Sequence, residues 1–156
     1  LVDPDNRRPV AYDGEAGLRE MLAQISAGGS PRTLDQEKLR LTHRLAHLRS
    51  ERPETFVGPR SGYRAVPVTT SHAFAYARLL DEEPDVIVIV RRLGRRLRRL
   101  GGWREESVVL PDCPWTDILT GRPIDGGAQR LADVLADLPV VVLARDREDT
   151  DRGDAS

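Results

Sequence analysis

Two hydrophobic periods divide this chain. Up to about residue 55 the apolar residues return every three or four positions; beyond it they gather in short runs broken by Gly, Pro and Asp. The first period puts Leu18, Met21, Leu22 and Ile25 on one face of a helix running from an N-cap at Asp13 to about Ser26. "AGGSPR" then stops it. A second helix is predicted from Thr33, where T-L-D-Q has the spacing of a capping box closed by Gln36. Leu34, Leu41, Leu45 and Leu48 line one side of it until Pro53 ends the pattern. Too few heptads are present for a free coiled coil, so both helices are expected to pack against other structure.

From Phe56 onward "GYRAVPV", "HAFAYARLL", "DVIVIVRR", "ESVVL", "WTDILTG" and "PVVVLAR" read as strands of an antiparallel all-β unit. "DVIVIV" is apolar at nearly every position and is predicted to be a central strand covered on both faces. "QRLADVLADLP" is ambiguous, because Leu131, Val134, Leu135 and Leu138 have helical spacing inside strand territory. The tail "DREDTDRGDAS" lacks an apolar anchor and is expected to be disordered. No internal repeat is present.

The length of 156 residues fits one compact domain, or a small one with a helical attachment. Composition then narrows the possibilities. No apolar run reaches the roughly 18 residues of a membrane span, and no basic-then-apolar leader marks secretion. The single Cys113 cannot form an internal disulfide, which fits a reducing, cytoplasmic setting. A net charge of −1 gives no global attraction for nucleic acid or anionic membrane. Lys38 is the one lysine among 24 basic residues, a bias ascribed to a GC-rich coding sequence rather than to guanidinium chemistry.

Several local patterns invite chemistry, and most have a plainer reading. "RRLGRRLRRL" carries six Arg in ten residues, but no nucleic-acid motif accompanies it and it reads as a solvated hairpin or strand end. His43 and His47 have the four-residue spacing of helical zinc pairs but no third ligand, so a structural role is expected. His72 stands at the start of a strand and says nothing by itself. Cys113 sits between prolines with no base beside it. Trp103 and Trp115 have the form of sugar-stacking residues, yet Trp at a strand start usually belongs to the core. The opening "LVDPDNRRPV" differs in kind. Its Asp and Arg side chains accept and donate several hydrogen bonds in fixed geometry and suit vicinal hydroxyls, although an internal ion-pair network explains the spacing equally well. The segment has no initiator Met and is too polar to bury, so the chain is expected to be cut from a larger protein.

Taken in order, "LVDPDNRRPV", "KLRLTHRLAHLRSERPETF", "AFAYAR", "VIVIVRR", "GGWREESVVLP", "PWTDILTGR" and "LADVLADLPVVVLAR" resemble the C-terminal part of the maltooligosyl trehalose synthases of the α-amylase superfamily, glycoside hydrolase family 13. The resemblance covers about residues 1–146. It implies an α+β chain: two N-terminal helices that end a (β/α)8 TIM barrel (1–55), an antiparallel C-terminal β-sandwich (56–146) and a disordered tail (147–156). The implied enzyme isomerises the reducing-end α-1,4 linkage of a maltooligosaccharide to an α,α-1,1 linkage by retaining transglycosylation between two carboxyl groups. In the family those groups stand on earlier barrel strands. None of the Asp or Glu here matches their motifs, so no catalytic residue is assigned, and no metal or cofactor is expected.

The D-P-D-N-R segment is shared with cyclodextrin-forming relatives. It carries sugar contacts over to Asp3 and Arg7, with Asn6 as a weaker substrate-binding candidate. Ala11 departs from the family's usual acidic residue, so nothing beyond Pro9 is carried over. The implied partners are the maltooligosaccharide, through the full enzyme, and the barrel itself, with no nucleic acid or membrane. The 156 residues alone are expected to be inactive. The alternatives are another α-amylase-superfamily hydrolase or transferase, or a standalone carbohydrate-binding β domain.

Overall fold

A computed structural model describes residues 33–147, together with Gly17, Arg19, Glu20, Leu22 and Ala23. These five positions are helical and fall within the first predicted helix. Its Asp13 cap, the "LVDPDNRRPV" segment and the tail beyond Arg147 lie outside the described residues. The chain divides into two compact units, one ending at Ala46 and the other starting at His47.

Helix α1 (Leu34–Glu51) begins on the predicted capping box. The Thr33 N–H donates to Gln36 Oε1 at 3.3 Å, and the Gln36 N–H donates to Thr33 Oγ1 at 3.2 Å. Two of the N–H groups that a helix start leaves unpaired are thereby satisfied. The expected apolar stripe is uneven: Leu48 is buried, Leu41 is half-buried and Leu45 is 37% exposed. Pro53 cannot extend α1. It instead opens the single turn α2 (Pro53–Phe56) from the N1 position that proline tolerates.

In the second unit, β1 (Ser61–Val66), β2 (Ala73–Leu80) and β3 (Glu83–Arg91) form a meander. Helix α3 (Gly94–Arg99) follows, then β4 (Ser107–Leu110), β5 (Trp115–Asp117), β6 (Pro123–Ile124), β7 (Gly127–Arg130), the turn α4 (Leu131–Val134) and β8 (Val140–Arg145). One sheet has the order β1-β2-β3-β8-β5-β6, and β4 with β7 makes a second, two-stranded sheet. Every described ladder is antiparallel. The β2–β3 hairpin closes on Asp81 and Glu82, both at positive φ (49° and 68°), the twist a two-residue hairpin turn requires.

Strand alternation decides what is buried. Ala75, Ala77 and Leu79 of β2 face inward with Ile87 and Ile89 of β3 and Val141 and Leu143 of β8. Trp115 and Ile124 join them from β5 and β6, and Val108, Leu110, Leu131, Val134 and Leu135 close the core from the other layer. The α+β, antiparallel class expected from sequence holds; the second layer is a two-stranded ribbon and a helical turn. "QRLADVLADLP" takes both readings, as β7 running straight into α4. β3 is central, between β2 and β8, but its cover is unequal. Ile87 and Ile89 are fully buried; on the opposite face Val86 is buried too, while Val88 and Val90 are half-buried.

The W-x-D-x-L-T-G-R run is a folding device. Trp115 is fully buried, and Asp117 is 3% exposed with its carboxylate turned into the following turn. Asp117 Oδ1 accepts the Leu119 N–H at 3.0 Å and Oδ2 accepts the Thr120 hydroxyl at 2.6 Å. Gly121 takes φ 78°, which admits few other residues. Arg122 then donates to the carbonyls of Asp133 (2.9 Å) and Val134 (3.3 Å), closing the end of α4. Gly126 has a different constraint: a β-carbon there would stand 2.5 Å from the Pro111 carbonyl oxygen and 2.6 Å from Asp112 Cα. Because both neighbours are backbone, Gly126→Ala should destabilise the β unit by about 1–3 kcal/mol. Urea unfolding followed by far-UV circular dichroism checks this, and an unchanged midpoint would refute the close approach.

Candidate functional site

Two features stand out in the second unit: a charged clasp at its α2 end and an incompletely covered face of the large sheet. The clasp is made by a β-bulge. Arg78 pairs with Val86 and Leu79 with Pro84, so Asp85 is the extra residue on β3. A bulge re-aims the side chain at its extra position, and Pro84 beside it has no N–H to give the ladder.

Asp85 is only 5% exposed, yet it carries a charge. Arg52 Nη1 lies 3.0 Å from Oδ1, Arg147 Nη2 lies 2.8 Å from Oδ2, and Thr55 Oγ1 donates to Oδ2 at 2.6 Å. Arg52 Nη2 also donates to the Arg145 carbonyl at 2.9 Å, and Arg147 Nη1 pairs with Glu54 at 3.0 Å. Burial pushes the Asp85 carboxyl upward. The hydrogen bonds from Arg147 and Thr55 and the Arg52 charge outweigh it and hold the group below the usual carboxylate range. Arg78 adds a bond to the Phe56 carbonyl at 2.9 Å, with its guanidinium 5.6 Å above the Phe56 ring. The turn α2 is thus fastened to β2, β3 and the end of β8. Arg147, at the start of the tail expected to be disordered, is one of the fastenings.

On the face of the sheet opposite the core, the Tyr63 and Tyr76 rings stack with centroids 5.2 Å apart, and Phe74 lies 6.0 Å from Tyr76. Tyr63 is 57% and Phe74 45% exposed, with half-buried Val88, Val90 and Val140 continuing the surface across β3 and β8. This is a contiguous apolar and aromatic patch rather than scattered exposed residues.

No family model matches the chain. It is 36% identical over 149 residues, 94% of its length, to a Mycobacterium tuberculosis protein provisionally named maltooligosyl trehalose synthase. It superposes on the maltooligosyltrehalose synthase of Arthrobacter ramosus with a TM-score of 0.75 at 32% identity, again over 94% of the chain. The chain matches maltooligosyl trehalose synthases. The match is to their C-terminal part, and the chain spans 17% of the length of the M. tuberculosis synthase and 18% of the Arthrobacter chain. A second solved structure, that of the DSM5389 glycosyltrehalose synthase, shares the fold at TM-score 0.62 and 20% identity.

Against the synthase match, Asp3, Asn6 and Arg7 lie outside the described residues. The other sequence candidates are placed as follows. His47 Nδ1 is 3.0 Å from Glu51 Oε1 along α1, and His72 Nδ1 meets Thr70 Oγ1 at 3.3 Å. Among the described residues no three His, Cys, Asp or Glu side chains converge on a metal-sized site, and no helix is long and apolar enough to cross a membrane. Burial pushes the Cys113 thiol up, against the thiolate a nucleophile needs. Trp115 is core, whereas Trp103 is half-buried and packs against the core from one side. The arginine run opens at the end of β3, at Arg91, and after Arg92 and Leu93 it continues not as a hairpin but as the helix α3. The Asp85 clasp escaped sequence reading altogether, since its partners stand 33 and 62 residues away.

Proposed function

We propose that this chain serves as the C-terminal portion of a maltooligosyl trehalose synthase. The whole enzyme would convert the reducing-end α-1,4 linkage of a maltooligosaccharide into an α,α-1,1 linkage. The observation that carries the proposal is identity of 36% sustained over 94% of the chain to a protein of that name. Retaining transglycosylation needs two carboxyl groups about 5–5.5 Å apart on either side of the scissile bond. In this reading both come from a barrel outside the chain. Asp3 and Arg7 contact a glucosyl unit of the donor, and Asn6 shapes their turn.

The β unit has no catalytic part in this reading. Its clasp fixes the turn that follows α1, the helix resembling the last of the barrel. The open Tyr63–Phe74–Tyr76 face would pack on the missing barrel. The test uses maltopentaose. The complete enzyme should form a non-reducing product that the 156-residue chain does not form. Asp3→Ala in the complete enzyme should lower kcat/KM roughly 10- to 100-fold, the worth of a hydrogen bond to a charged group. Turnover by the isolated chain, or an unaffected Asp3 variant, would overturn the respective assignment.

The aromatic cluster favours one second reading, a carbohydrate-binding module using Tyr63, Phe74 and Tyr76 as a stacking platform. Titration of the isolated chain with maltooligosaccharides separates the two. A binding module binds without a barrel and loses binding on Phe74→Ala, whereas a packing face does neither.

A further inference from the structure

We propose that the cavity between α3 and Trp103 is a binding site for a small phosphorylated sugar. The cavity measures about 250 Å³ and is lined by Arg91, Arg95, Arg98 and Trp103, with the backbone at Gly94 and Gly102. It is built by the chain's own turns. Leu93 adopts φ 53° and starts α3, and Leu97, 4% exposed, is the buried side chain that anchors it. Gly101 and Gly102, both at φ 90°, then reverse the chain into Trp103, whose ring packs partly on the core. The indole is thus a fixed wall of the cavity.

The charge in this cavity is uncompensated among the described residues. The side chains of Arg91, Arg95 and Arg98 make no hydrogen bond or ion pair there. The two carboxylates that follow Trp103 have partners elsewhere: Glu106 accepts the Arg104 N–H at 2.5 Å, and Glu105 lies 3.5 Å from Arg130. Three exposed arginines line this one space, and their like charges favour a compact dianion, which guanidinium groups can hold through paired N–H donors. The volume is below the roughly 300–1,000 Å³ of drug-sized pockets, so the ligand must be small. An indole beside the charges offers an apolar wall for the C–H face of a sugar ring. A single nucleic-acid strand would require an extended basic groove with several stacking rings, and only one ring is present here. This site stands independently of the synthase reading.

Isothermal titration of the 156-residue chain at low salt with glucose 6-phosphate is the test. Saturable binding with Kd below about 1 mM is expected, with inorganic phosphate roughly tenfold weaker and glucose giving no heat. The Arg95→Gln/Arg98→Gln double variant should weaken binding by at least about tenfold through loss of paired donors. Arg95→Lys/Arg98→Lys, which keeps the charge and loses the fork, should fall between the two. Far-UV circular dichroism establishes that each variant is folded, and the Lys pair serves if the Gln pair is not. Four results would each overturn the proposal: no saturation by about 10 mM glucose 6-phosphate, equal affinity for inorganic phosphate, wild-type affinity in a folded double variant, or tighter binding of an oligothymidylate that depends equally on Arg96 and Arg99.

Discussion

Trp115→Ala should be the most damaging single substitution in the β unit, costing about 3–5 kcal/mol. Trp115 is fully buried at the point where β5 meets β6 and β8. Its neighbours in the core come from both layers, so no single element can move in to refill the space. The lost hydrogen bond matters less than the lost volume. Trp115 Nε1 donates to the Pro111 carbonyl at 3.1 Å, but that carbonyl also accepts the Cys113 N–H at 2.9 Å and would not be orphaned. Trp115→Phe, which loses the bond and keeps much of the ring, should therefore cost only about 1–2 kcal/mol. Thermal unfolding followed at far-UV wavelengths should show a fall in midpoint of roughly 10–20 °C for the alanine variant. Equal losses in the two variants would mean that the hydrogen bond, not the packing, holds the layers together.

The elements that sequence disclosed are those set by local chemistry. Thr33 and Gln36 lie three residues apart, and their reciprocal bonds need nothing from the rest of the chain. The β-branched runs of β3 and β8 gave strands for the same reason. α3 carries a helical signal, since Leu93, Leu97 and Leu100 recur at helical intervals, but the six arginines around them dominate the pattern. Only Leu97 of the three is buried, so the apolar signal was as thin as the contact it makes. The unequal cover of β3 was not legible, because an unbroken apolar run has the same form whether its second face meets the same chain or another. The sugar contacts expected at Asp3 and Arg7 came from resemblance alone and lie outside the described residues.

The clasp was invisible for a stronger reason, since Asp85 in "EPDVIVIV" has the form of an ordinary polar residue opening a strand. Its role depends on a one-residue bulge and on two arginines brought together by tertiary folding. Asp85→Ala should destabilise the β unit by about 3 kcal/mol, at the lower end for a broken buried pair. Arg52 is the reason for a large effect, because its side chain is 16% exposed and would be left buried with only the Asp85 and Arg145 carbonyls. Arg147, at 41%, moderates it by reaching water. Arg147→Ala should for that reason cost only about 1 kcal/mol, and a double-mutant cycle with Asp85 isolates the coupling. The same contacts fix a pH dependence. The Asp85 carboxyl titrates lower in the folded chain than in the unfolded one, so the unfolded chain takes up its proton first as pH falls. The stabilisation is complete above the unfolded value of about 4 and disappears as pH drops from there through the lowered folded value. Glu54, Asp81 and Glu106 are lowered too, so Asp85→Asn should flatten the acid limb of stability without abolishing it. A stability–pH curve for Asp85→Asn that runs parallel to wild type between about pH 2 and 5 would mean that the buried carboxylate is not the acid-labile group of this fold.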